Sequence, residues 1–409
     1  MLISEQNRLV LKPEEPGQLL DLLKSNYRQD TAIFCAAPQP RQDLEFGRER
    51  NIFFDLSALD RVQEHVLSDM VIAVECGITL HKLAQILAEH KQFFPLDVKD
   101  ESVKLIDVIA SGDGGYLEQG FGYLRSQVLG LELGYEMGKR AKLGGRVVKN
   151  VTGFDLTKLV VGGRGIFGLP YLAHLRLSAT PVERLTFVVS KKSPSDLLLM
   201  AVKLSASGLP VSALELVEAA VSNNLAEAGA EEAYHLIIQV MGNKSLVADV
   251  ATQIREQLKG CRVKELSYDS LIETFPSLVR AAAPFSLEVS LSKASAAALI
   301  EHLSAVGQRG KLRYRPGMGR LFLDCADQAE QEKAFNVVRD FLSNSKVKTG
   351  GNALAEFESA IISLSSPPYK FSSHSQRTGD AAFGQVVERL RTTFDPLKCF
   401  NPGVTFHGS

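Results

Sequence analysis

The amino-acid sequence predicts an α+β protein of more than one domain. Its 409 residues exceed the length of one typical domain and suit two or three. Short apolar runs typical of strands alternate with longer segments in which leucines recur at helical spacing. A stretch with seven glycines, at residues 144–168, interrupts this alternation.

The chain opens with a predicted helix and three predicted strands. Prolines and acids followed by leucines predict a helix over residues 13–25. The apolar runs at 31–35, 51–59 and 69–77 predict strands. We expect this opening to be an α+β element rather than a βαβ repeat.

An amphipathic helix is predicted next, over residues 79–96. Its apolar residues fall at i, i+3, i+4 and i+7, and they are Leu80, Leu83, Ala84 and Leu87. Thr79 is placed to cap this helix. Further along, residues 121–138 predict a linker and a strand that turns near Gly138, and residues 169–179 predict another strand.

The region from about 180 to 365 predicts a second α+β domain. Its predicted strands are at 185–190, 213–217, 234–240 and 285–291, with a hairpin turn and strand at 315–327. Its predicted helices are at 193–207, 244–260, 293–307 and 327–344. A last helix, ending before Asp395, is predicted to carry Phe383, Val386, Val387, Leu390 and Phe394 on one face.

Composition excludes several classes of protein. A net charge of −1 gives no reason to expect a nucleic-acid partner. The N-terminus lacks the basic and apolar regions of a signal peptide, and no apolar run approaches the length that spans a bilayer. The five cysteines are scattered without a CxxC pair, so we expect neither a disulfide framework nor a zinc or iron–sulfur site, and we expect a cytoplasmic protein.

The glycine-rich stretch has two interpretations. Glycine lets the backbone approach another group closely or adopt positive φ. The stretch is either a tight set of turns between a sheet and a helix, or a backbone cradle for a nucleotide or flavin.

The segment Gly163-Arg-Gly165-Ile-Phe-Gly168 matches the letters of a dinucleotide-binding fingerprint. That fingerprint must follow a strand and open a helix, so that phosphates lie at the helix N-terminus. Here a helical pattern at 154–161 precedes the glycines and a strand pattern follows them. The sequence therefore argues against a Rossmann site.

Other catalytic motifs are missing from the sequence. There is no GxxxxGK[ST] or GxSxG segment, and the eight histidines form no HxH or HExxH pair. We predict no metal site and identify no catalytic base; Tyr123 and Arg125 are candidates by position only. A basic cluster has two interpretations, a solvated loop or an edge that faces phosphate, and it comprises Lys139, Arg140, Lys142, Arg146 and Lys149.

Four segments resemble the flavoproteins of the vanillyl-alcohol-oxidase and p-cresol-methylhydroxylase type. They are VIASGDGGY at 108–116, YLRSQVLGLELG at 123–134, the stretch 144–169 with its KNVTGFDLTKL core, and FDPLKCFNPG at 394–403. Within that superfamily the chain is most similar to the E subunits of bacterial glycolate oxidase (glycolate dehydrogenase) complexes.

The resemblance implies a two-part FAD-binding domain of the p-cresol-methylhydroxylase type with an inserted α+β cap domain. The implied boundaries are 1–180 for the FAD-binding part, 181–365 for the cap, and 366–409 for a segment that returns to the FAD-binding part. The implied cofactor is FAD. The residues implied to lie at or near the flavin are Ser111, Gly112, Gly114, Gly115, Lys149, Asn150, Gly153 and Asp155, with glycine amides as donors to the pyrophosphate.

The chain departs from the family pattern at three places. The family's glycine-rich pyrophosphate loop is replaced by CAAPQPRQDLEFG at 35–47, whose prolines donate no amide. The usual GGTVA-like segment is LIDVIASGDGG here, and the Asp expected before VLG is replaced by Ser126-Gln127.

Three hypotheses about function follow. In the first, the chain is a subunit of a glycolate dehydrogenase-type complex, and a homologous flavin-bearing subunit carries the oxidation of a 2-hydroxy acid. Electrons then pass to an iron–sulfur subunit, and the complex is cytoplasmic, reaching the inner membrane only through partners. In the second, the chain is a self-sufficient FAD oxidoreductase in which Arg41, Arg48 or Arg50 replaces the lost amides. In the third, it is a structural or assembly subunit without cofactor.

Overall fold

A computed structural model gives the fold of the chain. It describes residues 8–34, 48–97, 100–145, 155–219, 233–275, 278, 285–291, 293–307, 311–348, 361–365 and 381–401. Within these ranges the strands form one parallel sheet of three strands, antiparallel sheets of five and eight strands, and a two-stranded ribbon.

The described residues up to 179 carry ten strands and six helices. The strands are β1 Arg8–Leu11, β2 Thr31–Phe34, β3 Arg50–Phe54, β4 Val62–Val66, β5 Val71–Glu75, β6 Gln92–Phe93, β7 Val128–Tyr135, β8 Lys139–Gly144, β9 Leu169–Arg176 and β10 Ser178–Ala179. The helices are α1 Pro16–Asn26, α2 Leu80–Ala88, α3 Leu105–Ser111, α4 Glu118–Phe121, α5 Leu124–Gln127 and α6 Thr157–Val160. Short 3-10 turns lie at Leu67–Asp69 and Glu136–Gly138.

The described residues from 183 onward carry eight strands and six helices. The strands are β11 Glu183–Lys191, β12 Ala213–Glu218, β13 Tyr234–Gly242, β14 Val263–Leu266, β15 Phe285–Ser290, β16 Lys311–Arg315, β17 Arg320–Cys325 and β18 Ile361–Ser365. The helices are α7 Pro194–Ala206, α8 Lys244–Gln257, α9 Tyr268–Thr274, α10 Lys293–Ala305, α11 Gln328–Lys348 and α12 Ala381–Phe394.

The opening of the chain is a parallel sheet in the order β1-β3-β2. Because β1 and β2 both run parallel to β3, the segment β1-α1-β2 is a βαβ crossover, and the expectation of a non-βαβ opening is wrong. The sequence pattern missed β1, which is only four residues long. The predicted cap of α2 is confirmed, since the Thr79 side chain accepts the Lys82 amide at 3.1 Å.

The five-stranded sheet has the order β4-β5-β9-β7-β8. Its edge strand β8 contains the first three residues of the basic cluster, so the loop interpretation of residues 139–144 is wrong. Arg140 and Lys142 pair with Glu132 on the adjacent β7, at 2.6 and 3.4 Å. The acid that balances the cluster therefore comes from the next strand, and Arg146 and Lys149 lie outside the described residues.

The eight-stranded sheet has the order β14-β11-β13-β12-β16-β17-β15-β18, with every recorded pairing antiparallel. Alternate residues of each strand point to opposite faces. One face packs its apolar residues against α7, α8, α10 and α11, and the other carries charged residues such as Glu215 and Arg315. One face thus forms a large core, and the other carries these charged residues beside a smaller apolar cluster.

Two large cores match this division of sheets. The first runs from Leu19 to Phe400 and the second from Phe187 to Leu342. A smaller core joins them, with Tyr116 and Leu117 packed against apolar residues of the eight-stranded sheet. The predicted domain boundary near residue 180 stays a prediction, and the change of sheet between β10 and β11 favours it.

The C-terminal segment packs against the first part of the chain. Phe400 bridges to Ile33 in parallel, beside the edge of β2, and is completely buried. The buried Asp395 accepts the Tyr27 hydroxyl at 2.7 Å and the Cys399 and Phe400 amides at 2.9 and 2.8 Å. On α12, Val387 is buried but Val386 is half exposed, so the prediction that both share the apolar face is wrong for Val386.

None of the described helices is both long enough and apolar enough to cross a membrane.

Candidate functional site

Two glycine turns lie against each other in the first part of the chain. They belong to two of the segments that resemble the flavoprotein family, and the resemblance places residues of both segments near the flavin. Helix α3 ends at Gly112, whose φ of +71° is left-handed and whose amide donates to the Val108 carbonyl at 2.9 Å. The second turn, residues 161–165, follows α6. Gly162 donates its amide to Ile109 at 2.8 Å, and Arg164 donates to Ala110 at 3.0 Å.

Close packing explains the glycine at position 112, and backbone conformation explains the glycine at position 162. A Cβ on Gly112 would lie 2.7 Å from the Gly162 Cα, which is closer than real Cβ atoms approach. Gly162 is exposed and also has a positive φ, +81°. The pair therefore presents bare backbone to solvent, bordered by the exposed Ser111.

The amides of the 111–115 turn already have acceptors within the chain. Gly114 donates to Glu118 Oε1 at 3.1 Å, and Gly115 donates to Asp113 Oδ1 at 3.0 Å. The Asp113 amide donates to the Ser111 hydroxyl at 3.3 Å. The Ser111 hydroxyl itself donates to the Val108 carbonyl at 3.1 Å. What this turn offers a cofactor is consequently its bare backbone surface, and the pyrophosphate donors expected from Gly112, Gly114 and Gly115 are engaged within the chain.

A cluster of charged side chains joins the glycine turn to the eight-stranded sheet. Its members are largely buried and come from α4, from the turn before it and from four strands of the sheet. We call it the charged junction, and it comprises Asp113, Glu118, Glu215, Glu288, Arg315 and Arg320.

Arg315 and Arg320 make the contacts of the junction. Arg315 is the last residue of β16 and Arg320 the first of β17, and the two pair with each other next to the hairpin turn. Arg315 donates through Nε to Glu215 at 2.7 Å, and through Nη1 to Asp113 at 2.6 Å and Glu118 at 3.3 Å. Arg320 donates through Nε to Glu288 at 2.7 Å and through Nη1 to Glu118 at 2.9 Å. Each guanidinium thus bridges a carboxylate of the sheet and a carboxylate of the turn region.

The Phe322 ring lies beside both guanidiniums. The Cζ atoms of Arg315 and Arg320 are 4.6 and 5.1 Å from the ring centroid, which is the range of cation–π attraction. This contact supports both arginines from within their own hairpin.

The junction shifts the pKa values of its members. Burial acts to raise the pKa of Asp113, but Arg315 and Arg320 outweigh it and hold that pKa well below its usual range. Burial also acts to raise the pKa of Glu118. Its two oxygens nevertheless accept four N–H donors, from Gly114, Leu124, Arg315 and Arg320, which is the pattern of an ionised carboxylate.

A second polar contact joins the same two parts of the chain. Asp97 accepts the Tyr116 hydroxyl and the Arg184 Nη1, both at 2.7 Å. Arg184 also lies over the Tyr268 ring, 4.4 Å from its centroid. The desolvated Tyr116 phenol therefore has a charged partner, and burial raises its pKa well above the usual value.

The C-terminal segment reaches the second glycine turn. The Asn401 side chain donates to the Arg164 carbonyl, and a Cβ on Gly165 would lie 2.7 Å from Asn401 Nδ2. The FNPG ending and the GGRGIFG turn, two of the segments that carried the resemblance, are therefore in direct contact.

Some of the other predicted site residues lie outside the described residues, and the rest lie at or near the surface. Lys149, Asn150, Gly153 and Arg41 lie outside the described residues. Asp155 is exposed and pairs with Lys158 at 3.2 Å. Tyr123 is 36% exposed, with the Arg125 Cζ 4.6 Å from its ring centroid.

Two of the three arginines proposed to replace lost amides contact other parts of the fold instead. Arg48 donates to the carbonyls of Gln29 and, at 3.1 Å, of Leu397. Arg50 donates to the Asn26 side chain at 3.4 Å. Their recorded contacts tie β3 and the residues before it to α1 and to the C-terminal segment.

Sequence reasoning missed the charged junction. A signal was present, since Glu215 and Glu288 interrupt apolar strands, and the segment RYRPGMGR alternates arginines around a hairpin turn. Charged residues at alternate strand positions indicate a polar sheet face. The pattern did not reveal which partners neutralise them.

Comparison with known proteins bears on these features. Residues 8–144 match the family model described as the FAD binding domain. The chain contains an FAD binding domain. The predicted cofactor, FAD, is confirmed by this match as the cofactor of the domain, and the matched range includes the 111–115 turn.

The chain is similar to several curated proteins beyond the FAD binding domain alone. It is 28% identical over 210 residues to "D-lactate dehydrogenase [cytochrome], mitochondrial" of Arabidopsis thaliana, covering 51% of this chain and 37% of that protein. It is 25% identical over 193 residues to "Glycolate oxidase subunit GlcE" of Escherichia coli (strain K12), covering 46% of this chain and 54% of that one. The matches thus span between about a third and about half of these relatives.

Solved structures share the fold across nearly the whole chain. Alkyldihydroxyacetonephosphate synthase in crystal form P212121 superposes with a TM-score of 0.64 at 13% identity, covering 96% of this chain and 76% of that chain. The predicted fold class, an α+β FAD-binding domain of the p-cresol-methylhydroxylase type, is confirmed.

Proposed function

We propose that this chain is the FAD-binding-fold subunit of a complex of the glycolate oxidase type, which oxidises a 2-hydroxy acid. The observation that carries the proposal is the pair of glycine turns at Gly112 and Gly162, bare toward solvent and joined to the charged face of the second sheet. The similarity to relatives named glycolate oxidase subunit and D-lactate dehydrogenase supports the substrate class.

The residues proposed to hold FAD are those of the bare backbone wall and its neighbours. Ser111, Gly112 and Gly162 would form the wall itself, because a close approach there meets no Cβ. Gly114 and Gly115 would act by keeping the turn in shape, since their amides are bonded to Glu118 and Asp113. Lys149, Asn150, Gly153 and Asp155 stay predicted contacts. The chemistry that bound FAD supplies is hydride acceptance from the hydroxyl-bearing carbon of the substrate.

The charges of the junction disfavour Asp113 as the general base, and we place that role in a partner subunit. A general base must take a proton near neutral pH, so its pKa should lie near the operating pH. The pKa of Asp113 is held well below its usual range by two guanidiniums, so it is a poor base. Proton removal from the substrate would then fall to a homologous flavin-bearing subunit, with an iron–sulfur subunit as electron acceptor.

The test is to purify the chain alone and together with the homologous subunit, and to record visible spectra. A flavin band near about 450 nm in the isolated chain is expected. We expect glycolate-dependent dye reduction only in the complex. Reduction by the isolated chain would instead indicate a self-sufficient oxidoreductase. A missing flavin band in the isolated chain would overturn the assignment of FAD to this chain and leave a structural subunit.

A further inference from the structure

We infer that Arg315 and Arg320 are positioning residues for the cofactor turn, acting on residues 111–115 through Asp113 and Glu118. This inference rests on the proposed function for its consequence, which is retention of FAD. Its structural part, the shape of the turn, does not depend on a bound cofactor.

Glu118 links the two arginines to the turn through hydrogen bonds to its carboxylate. Its Oε1 accepts the amides of Gly114 and Leu124, at 3.1 and 3.2 Å, which lie on either side of α4. Its Oε2 accepts from Arg315 and Arg320, at 3.3 and 2.9 Å. One carboxylate therefore joins the backbone of the turn to the hairpin, with each oxygen serving one side.

Asp113 provides a second and more direct contact. Its Oδ1 accepts the Gly115 amide at 3.0 Å and the Arg315 Nη1 at 2.6 Å, with the Arg320 Nη1 3.7 Å away. The amides of Gly114 and Gly115 therefore both donate to carboxylates that the arginines also bind.

Carboxylates on neighbouring strands of the sheet hold the two arginines in place. Glu215, on the adjacent strand β12, is completely buried and fixes the Nε of Arg315. Glu288, on the adjacent strand β15, fixes the Nε of Arg320. Because each guanidinium is a planar fork, a fixed Nε also fixes the direction of Nη1, which reaches the turn.

The glycine at position 114 is explained by the same contact. A Cβ there would lie 2.8 Å from the Cγ and Oε1 of Glu118, so only glycine lets that carboxylate approach the backbone. The sequence resemblance attributes this glycine to the flavin. The geometry attributes it to the carboxylate that ties the turn to the hairpin.

The test uses a charge-balanced double variant, Arg320→Gln with Glu288→Gln, so that no buried charge is left without its partner on the sheet. The matched control is Arg255→Gln with Glu265→Gln, which removes an exposed two-contact arginine–glutamate pair between α8 and β14, at the other edge of the same sheet. Hydrogen exchange is followed by mass spectrometry on the full-length, FAD-free protein.

We expect the peptide covering residues 111–124 to exchange at least about tenfold faster in the Arg320/Glu288 variant. Peptides from β12 and β13 should keep their rates, and the control variant should match the wild type throughout. Arg320→Lys keeps the charge but not the fork, and it should restore part of the protection. An unchanged 111–124 peptide, or equal acceleration in β12 and β13, would overturn the inference, since the latter indicates only a general loss of stability.

The second readout is the rate at which FAD leaves the protein, followed by the recovery of free-flavin fluorescence. Faster release is expected in the Arg320/Glu288 variant and not in the control. A wild type that holds no FAD would count against the proposed function, while the exchange data would still decide the role of the arginines. Release at the wild-type rate, despite a loosened turn, would remove the link to the cofactor.

Discussion

Glycines with the same backbone conformation serve different purposes in this chain. Gly112 and Gly208 have φ of +71° and +73°, yet a Cβ on Gly112 meets backbone at 2.7 Å and one on Gly208 meets nothing within 4 Å. Conformation alone would therefore explain glycine at both positions, and close packing explains it only at Gly112.

This contrast gives a matched pair of variants. Gly208→Ala should cost about 1 kcal/mol, because a left-handed φ strains an L-residue and nothing else opposes it. Gly112→Ala should cost about 2 kcal/mol more, since the added methyl must displace the turn at Gly162. Urea unfolding of both variants measures the difference. Equal costs would contradict the view that the two turns are tightly packed.

The density of glycines was the part of the site that could be predicted from sequence. Seven glycines within 144–168 indicate close backbone approach, and the structure has such an approach at Gly162. Its partner could not be predicted, because Gly112 lies in a different segment and glycine carries no side chain whose chemistry identifies a neighbour.

At the level of elements, the strand pair β7–β8 shows that a cluster of cations in sequence can be neutralised by an acid on the adjacent strand. Lys139, Arg140 and Lys142 suggest a basic patch in sequence, but Glu132 on β7 holds two of them. Glu132 is nearly buried, and burial acts to raise its pKa. Arg140, Lys142 and the Tyr171 hydroxyl together outweigh burial, so its pKa is lowered.

The lowered pKa predicts a defined pH dependence. A carboxylate whose pKa is lower in the folded state stabilises the protein above its unfolded pKa, about 4.3, and loses this effect as the pH falls through the folded value. Glu132→Gln should therefore cost about 1 kcal/mol at pH 7, because both cations are half exposed.

The same variant should flatten the loss of stability below about pH 4.3. Denaturant unfolding at a series of pH values measures this, with the exposed Asp249→Asn as control. A pH profile parallel to that of the wild type would show that Glu132 carries no such linkage.

The fold was predictable wherever an element is long enough to show its own periodicity. Helices α7 and α8 and strands β11 and β13 lie where sequence spacing placed them. The helix predicted over 79–96 is shorter in the structure, since α2 ends at Ala88 and Gln92–Phe93 form strand β6. Several strands were missed, among them β1, β4, β8, β14, β16 and β18. Pairing with distant residues defines such strands: β1 pairs with β3, about forty residues away.

At the level of the whole molecule, charged contacts join two separate cores. Arg315 contacts Asp113 across 202 residues of sequence, and Arg184 contacts Asp97 across 87. No local pattern reveals contacts over such distances, which is why the charged junction escaped sequence reasoning while the helices did not. Among the described residues, these contacts and the small core around Tyr116 join the two parts of the chain.

Breaking the Asp97 contact should uncouple the two parts of the chain. Asp97→Asn leaves the mostly buried Arg184 without its carboxylate, which should cost about 2–3 kcal/mol. Because the chain has no tryptophan, Leu67→Trp and Leu199→Trp, at exposed positions, give one fluorescent reporter for each part.

We expect the two reporters to unfold together in urea in the parent protein and at separate midpoints in the Asp97→Asn background. Asp60→Asn, which breaks the exposed pair with Lys82, serves as the matched control. Coincident midpoints at the parent value in all three backgrounds would refute this role of Asp97.

The contact between Phe400 and Ile33 also has a consequence for how the chain is made. The amide and carbonyl of Ile33 bond to Cys399 and Asn401, at 2.8 and 3.0 Å, so part of the edge of β2 is paired with residues synthesised long afterwards. At a synthesis rate of about 5–20 residues per second, that delay is on the order of tens of seconds. During it, a nascent chain on the ribosome carries an open, apolar sheet edge, the kind of surface on which strands of other chains add. Within the described part of the chain, strands β11 to β17 of the eight-stranded sheet pair with one another and not with the C-terminal segment. These strands can therefore pair before the three-stranded sheet, which comes earlier in the sequence, is completed.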